Sequence, residues 1–570
     1  MKNATQKFLE RLDSSVRKVN ALHVYLCFLV YYYIIDALRP SSLTGDEPHY
    51  AVDAYSIAHQ GSRQVLSVYN NAEVIKSIYG SPDLSPHLLG DMTVTFHGVG
   101  LSLLLIPAAL FLKVGHFFRV EMIFISAIVP AASFYLAKKI WKPQNSIILL
   151  GAAIVFALPP WVFYTNQIYP EIPAAALGLL GTILILRKSF FAHIIASVLV
   201  NYLLWIHIRF ITITFALLLC FYLTKKGLSR MMVLAITIGN FLLYLFYNNQ
   251  WYGTLDIFFQ RNYIQANLTS ESHASVAYRT LFGHFFSGAY GAIPWNPLLA
   301  LALIGLIPIL KGILATANYW VRYSSLGFLA YLFQVAYGGA VGGLVFPARY
   351  MIIILPLFFF GLIYFLKYLS ILPTKVKSFS IVFIVCCFLL SFSYIPLSYF
   401  NINNLYGRGD FQDQPLVPLA RDVSNIWPDY SSNFPILELR VMPQTLDIEK
   451  SDFSLSYLPR GMYRIDSIDN HNQIAAVVIN SDESYRFDSE SLALDSKLLG
   501  FFQVRKFEYV GGSIIWRSSK HAPINIRIIK ISPVKSEFPD LPATLLIVSG
   551  ILFLGRRLDE VINEEYSEKR

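Results

Sequence analysis

Apolar runs of about 20 residues recur along most of the chain, and they confine it to folds built from membrane-crossing helices. The runs fall near residues 21–38, 120–137, 146–165, 172–187, 190–207, 210–224, 229–247, 296–311, 318–338, 350–367, 378–397 and 541–555. The composition agrees. Hydrophobic residues make up 55% and charged residues only 14%, against about 25% charged in a soluble globular chain. The formal net charge of +10 raises the question of nucleic acid. The cations, however, sit in short clusters between apolar runs, as at Arg187-Lys188, Lys225-Lys226 and Arg556-Arg557. That pattern orients membrane helices and forms no continuous basic face, so membrane lipids are the expected surroundings and no nucleic-acid partner is expected.

One further run, 98–114, decides the topology. Counted as a full crossing, it places Lys138, Lys139 and Lys142 outside and inverts every later loop. Left out, it puts Arg187-Lys188, Lys225-Lys226, Lys311, Lys367 to Lys377 and Arg556-Arg557 on the side of the basic N-terminus. The positive-inside bias selects the second arrangement, with 98–114 as a re-entrant or interfacial helix. The expected fold is therefore a polytopic α-helical membrane protein of about 12 spans, with both termini cytoplasmic. The first run, from Ala21, has cations before it and no small-residue cleavage signal after it, so it reads as a retained span rather than a signal peptide.

The expected organisation has a cytoplasmic segment at 1–20 and a transmembrane domain at 21–399 with a first extracytoplasmic loop at 39–119. A soluble extracytoplasmic domain follows at 400–540, then a final helix and cytoplasmic tail at 541–570. Within 400–540, stretches such as Ile474–Asn480, Phe501–Tyr509 and Ile524–Ile531 alternate β-branched or aromatic residues with polar ones, which predicts a β-rich α/β domain. The four cysteines, Cys27, Cys220, Cys386 and Cys387, all lie in apolar runs, so no disulfide framework holds that domain.

The residues capable of chemistry cluster in the segments this topology leaves outside. The first loop opens with Asp46-Glu47-Pro48-His49-Tyr50, two adjacent carboxylates a few residues beyond the first span. Such carboxylates suit a general base or a metal ligand at headgroup level, but acids also favour the first turn of a helix, and both readings stand. Glu171 is an isolated acid between two apolar runs. An acid at membrane depth is costly and more often functional than incidental, the plainer reading being a helix start with Pro173 in its first turn. His207 and Arg209 mark a third outer turn and Arg349 a fourth, while Arg119 opens a span. Arginine forks suit phosphate oxygens, although interfacial anchoring beside aromatic residues is common. His87 and His97 are weaker candidates, because a lone histidine is usually a satisfied interfacial residue. The chain carries no glycine-rich phosphate loop, nucleophile elbow or zinc-protease helix. It also has few mid-span charges of the kind an ion-coupled transporter uses.

Taken in order, these features resemble the GT-C superfamily of membrane glycosyltransferases, nearest in pattern to the protein O-mannosyltransferase and lipid A aminoarabinose transferase group. The resemblance rests on the first span, the outer loop opening with Asp46-Glu47, and the apolar interfacial run after His97. It continues with Arg119 at a span start, Glu171 in the second outer loop and the C-terminal domain, and covers most of residues 20–400. It implies an enzyme of a bacterial inner membrane that takes a sugar from a polyprenyl-phosphate donor. The sugar passes, with inversion, to an extracytoplasmic glycan, lipid or protein acceptor. By the same resemblance Asp46 is the general base, with Glu47 beside it, while Glu171 and His49 position the acceptor or a divalent cation (Mg or Mn). Arg119, His207, Arg209 and Arg349 hold the donor phosphate, and no metal ligand set is assigned. Two departures stand out. Relatives often carry a His-Pro-Pro-Leu-type sequence where this chain has His97-Gly98-Val99-Gly100, and many have aspartate where it has Glu171. The alternative reading is a lipid-linked glycan flippase or transporter without transferase chemistry.

Overall fold

The computed structural model describes residues 16–38, Leu43, 46–258 with short gaps at 83, 89–92, 96 and 112–113, then 273–286, 291–315, 319–337, 348–369 and 374–404. Beyond these it describes seven strands between 435 and 531 and a helix at 545–557. A helix lies at each of the apolar runs read from the sequence. Five are long and apolar enough to cross a membrane: Ala21–Leu38, Gly115–Ile140, Gly227–Tyr252, Arg349–Lys367 and Lys377–Ile395. Shorter apolar helices occupy Asn145–Phe156, Glu171–Ile185, Phe190–Ile206, Ile208–Thr224, Leu299–Leu310 and Ser324–Ala336.

The bundle has inner and outer helices. Gly115–Ile140 and Arg349–Lys367 are 67% and 78% buried, whereas Ala21–Leu38 and Lys377–Ile395 are each 22% buried and Gly227–Tyr252 only 11%. The outer helices show apolar side chains outward. Leu22, Leu26, Val30 and Ile34 form an exposed row on the first helix at a spacing of four, one face of a 3.6-residue period. A stripe of that size facing water would be costly, while facing lipid tails it is not. At the centre the helices Leu299–Ala315 and Leu355–Tyr368 press backbone to backbone. A Cβ on Gly305 would stand 2.0 Å from the Gly361 carbonyl oxygen, so only small residues permit this crossing.

The run 98–114 does not form one helix. It folds as Val99–Leu104 and Ile106–Ala109, of 6 and 4 residues, with Pro107 opening the second piece. At 1.5 Å per residue these rise about 15 Å together, half of the hydrocarbon thickness, so they cannot cross it. The segment from 248 to 295, read as an outer loop, contains the helices His273–Phe286 and Ala292–Trp295, which the polar composition of that stretch had hidden.

The strands are β1 (Pro435–Val441), β2 (Gly461–Ser467), β3 (Ala476–Asn480), β4 (Tyr485–Phe487), β5 (Arg505–Tyr509), β6 (Ser513–Arg517) and β7 (Ile524–Ile531). One antiparallel sheet runs β1-β7-β2-β5-β4, and β3 pairs antiparallel with β6. The remainder of 405–540 lies outside the described residues.

Candidate active site

The site begins where the first span gives way to the helix Glu47–Gln60. Asp46 stands at the N-cap position of that helix, but its side chain makes no capping hydrogen bond. Its backbone oxygen closes the first turn instead, accepting from the amides of His49 and Tyr50. The carboxylate is thereby left for tertiary contacts, which resolves the choice between capping and tertiary use. Pro48 sits in the first turn, where its missing N–H costs nothing, and Gly61 ends the helix at φ 62°.

Arg349 joins two of the acids. Its Nη1 donates to Asp46 Oδ2 at 3.2 Å and its Nε donates to Glu171 Oε1 at 3.2 Å. Arg209 donates from Nη2 to the same Glu171 oxygen at 2.5 Å. The Arg349 guanidinium also lies 4.0 Å from the centre of the Tyr169 ring, a cation–π contact in a dry setting. Ala348, immediately before it, adopts the left-handed conformation at φ 61°, an uncommon backbone for a residue with a side chain and one that sharply redirects the chain at Arg349. Glu171 is 1% exposed, its Oε2 has no hydrogen-bond partner, and it opens the helix Glu171–Ile185 as the sequence predicted.

Glu47 is fully buried beside this cluster. Its Oε1 accepts from the amide of Ile168 at 2.8 Å and its Oε2 lies 3.9 Å from Arg119 Nη2. The loop after the first span is thus bonded to the loop that precedes Glu171, and Asn166 Nδ2 adds a 2.5 Å hydrogen bond to Asp36 Oδ1 at the end of the first span. His207 accepts from the amide of Arg209 through Nδ1 at 3.2 Å, which fixes the turn that presents Arg209.

Asp46 has a second neighbourhood, made of imidazoles. His87 Nδ1 is 3.9 Å from Asp46 Oδ1 and 3.4 Å from His97 Nε2. The His49 ring stacks on His87 with centroids 4.1 Å apart, and its Nδ1 is 2.6 Å from the Tyr69 hydroxyl. Burial lowers all three imidazoles, His97 to about 3, so they are neutral at pH 7. Burial alone would raise the Asp46 carboxyl, but His97, Arg349, His87 and His49 outweigh it and hold it below the usual carboxylate range. With the imidazoles neutral, the standing charge that keeps Asp46 ionised at pH 7 is Arg349.

Behind His97 lies a network the sequence reading missed. Arg63 Nε and Nη2 grip Asp53 with contacts of 2.8 to 3.1 Å, and both side chains are almost wholly buried. Arg63 Nη2 also donates to Thr95 Oγ1 and to the His97 carbonyl, each at 3.1 Å. Its Nη1 donates to the hydroxyls of Tyr247 and Tyr252 on the helix Gly227–Tyr252. Asp53 falls six residues after Glu47 on an amphipathic helix and reads as a solvent-facing acid. Only its pairing with a cation ten residues on betrays it. The His97-Gly98-Val99-Gly100 departure also finds its reason. A Cβ on Gly98 would stand 2.4 Å from the Ile206 carbonyl oxygen and one on Gly100 2.4 Å from the Trp205 carbonyl carbon. The two glycines let this loop press against the backbone just before His207.

All eight predicted site residues therefore meet in one region, joined by contacts among Asp46, Glu47, Glu171, Arg119, Arg209 and Arg349, with His49 and His207 at its borders. His87 and His97 belong to it as well, because neither is a lone histidine once the loop is folded.

No protein-family model matches the chain, and no curated protein matches it. A solved structure is similar to it. This is the crystal structure of ArnT from Cupriavidus metallidurans bound to undecaprenyl phosphate. The identity is 12%, 68% of this chain and 69% of that chain are covered, and the TM-score is 0.39.

Proposed function

We propose that the chain is an integral membrane glycosyltransferase that moves a sugar from a polyprenyl-phosphate-linked donor to an extracytoplasmic hydroxyl, with inversion. One observation carries this reading: a single guanidinium, Arg349, bonds both Asp46 and Glu171, with Arg209 on the same Glu171 oxygen. Acids of this kind beside fixed arginines suit a reaction in which a hydroxyl loses a proton while a phosphate gains charge.

The acceptor oxygen bonds to the anomeric carbon as the bond from that carbon to the phosphate oxygen breaks. Asp46 takes the hydroxyl proton, and polyprenyl phosphate departs. Asp46 is a weak base, held ionised, so it accepts the proton late, when the acceptor oxygen is already partly bonded and more acidic. Arg349, Arg209 and Arg119 compensate the phosphate. Glu171 and Glu47 hold these guanidiniums in place and, with His49, border the acceptor. His207 sets the Arg209 turn. In this reading residues 21–399 form the catalytic membrane domain, 400–540 a soluble domain on the same outer face, and the enzyme resides in a bacterial inner membrane.

The test is release of polyprenyl phosphate by protein in nanodiscs, given a panel of polyprenyl-phosphate sugars and a membrane-glycan extract. Release by the native chain and its loss in Asp46→Asn, with unchanged melting, supports the assignment. Equal release from both removes Asp46 from the chemistry, and no release with any donor removes the transferase reading.

A further inference from the structure

His87 and His97, beside Asp46, have no part in that reaction, and their arrangement calls for its own account. His87 and His97 come from one loop, folded back by an antiparallel bridge between Leu88 and Thr95 that brings its two ends together. One carboxylate oxygen of Asp46 and one ring nitrogen from each of His87 and His97 lie within 4.8 Å of one another. Of these, His87 Nδ1 and His97 Nε2 are 3.4 Å apart. Two nitrogens bound to one ion at 2.0–2.1 Å with tetrahedral angles stand about 3.3 Å apart, so this separation is that of two corners of a metal's first shell. The His87–Asp46 contact of 3.9 Å requires only a small inward turn of two side chains that remain partly exposed, at 42% and 29%.

Three features of the surroundings favour an ion there. The backbone of His97 is anchored by Arg63 Nη2 and by the Tyr252 hydroxyl, which fixes the buried ligand from behind. Asp46 is oriented through its other oxygen by Arg349, leaving Oδ1 toward the histidines. Exposure lies on the His87 and Asp46 side while His97 is 4% exposed, so the shell is closed at its floor and open at its mouth.

We propose that Asp46, His87 and His97 bind one divalent transition-metal ion, with Zn2+ the best match, and that the ion keeps an open position next to the acid–arginine cluster. Two imidazoles and one carboxylate suit Zn2+ or its first-row neighbours, whereas Mg2+ and Ca2+ prefer oxygen-only shells. The ion adds positive charge where Arg349 and Arg209 are already neutralised by Asp46 and Glu171, so its open position would take an anionic oxygen such as one of a phosphate. A carboxylate offers about four acceptor positions, so ligation through one leaves others on Asp46 for a hydroxyl proton.

The experiment uses the full chain in detergent, stripped with a chelator, loaded with Zn2+, Co2+ or Mg2+ alone, and desalted. Bound metal per chain is then counted by mass spectrometry, and the Co2+ form is read by its visible absorption. One Zn2+ per chain is expected, together with Co2+ bands of a nitrogen–oxygen site and no retained Mg2+. Affinity should fall by at least about tenfold in His87→Ala, His97→Gln and Asp46→Asn, and stay unchanged in His23→Ala, a histidine exposed at the far end of the first helix. If His87→Ala no longer elutes as the native chain does, His87→Gln takes its place. A native chain that retains no ion, a shell indifferent to all three substitutions, or Mg2+ held as tightly as Zn2+ would each overturn the proposal. The readout needs no donor. A chain that binds the ion but releases no polyprenyl phosphate keeps this site and loses the transferase reading, and release without a bound ion does the reverse.

Discussion

Arg63 reaches past its ion-pair partner Asp53 to hold the backbone carbonyl of His97 at 3.1 Å, and so couples a buried charge pair to the floor of the site. Removing one partner of such a pair strands the other charge in a dry interior, which costs about 3–5 kcal/mol. Asp53→Ala is expected to lower the detergent melting temperature more than any substitution at Asp46. Replacing both residues by apolar ones should not restore it, because the tyrosine hydroxyls, Thr95 and the His97 carbonyl would each still lose the hydrogen bond that Arg63 donates. A double variant as stable as the native chain would refute this.

Arg349→Lys tests the bridge itself. Lysine keeps the charge but cannot place two fixed donors on two separate carboxylates. Release of polyprenyl phosphate is expected to fall by about 10²- to 10³-fold, the size of the loss of one preorganised donor at developing charge. A rate within a factor of two of native would mean that charge alone suffices and that the fork has no part.

Gly98→Ala should be poorly tolerated although it adds only one methyl group. The new Cβ has a backbone oxygen 2.4 Å away, and a backbone group cannot swing aside as a side chain can. Overpacking of this kind costs about 1–3 kcal/mol. A melting scan checks it, with Gly239→Ala as control because that position has open space around it.

The pH dependence of stability should carry a signature of His207. Burial, with Arg209, His97 and Arg349 nearby, holds this imidazole well below its ordinary value, against a smaller upward pull from Asp46. The unfolded chain therefore binds a proton near pH 6.5 that the folded chain refuses. The contribution is complete above about pH 6.5 and drains away as pH falls toward the depressed folded value. Melting temperatures between pH 7.5 and 4.5 should decline less steeply in His207→Gln, and parallel curves would show that His207 does not report here.

Much of this was legible because membrane helices write themselves plainly in sequence. Length and apolarity located a helix at each long apolar run, and the positive-inside bias kept 98–114 from being counted as a crossing. Asp46, Glu171, Arg209 and Arg349 stood out because charge at the ends of apolar runs is costly and therefore informative. Asp53 and Arg63 did not, since an acid on a short loop helix and an arginine just past its end look like ordinary solvent-facing charge until the helix Gly227–Tyr252 closes over them. The histidine cluster escaped for a related reason. His49, named as a site residue by resemblance, and the two weak candidates His87 and His97 are spread over 49 residues, and only the Leu88–Thr95 bridge and the stacking of rings turn them into one feature. The helix at His273–Phe286 was missed because it is shorter than a span and interrupts its apolar residues with His273, Arg279 and His284.

The pairing of acids with arginines also shapes how a ligand would be captured. Asp46, Glu47 and Glu171 face Arg119, Arg209 and Arg349, so at pH 7 the cluster's formal charges cancel. From beyond the Debye length of about 8 Å a charged headgroup would feel little pull from these six groups. Recognition then depends on close-range exchange of partners, with an incoming oxygen taking over a guanidinium contact that a carboxylate gives up. Capture by this cluster without the proposed ion should be nearly insensitive to ionic strength, unlike the salt-steered encounter of an open basic funnel.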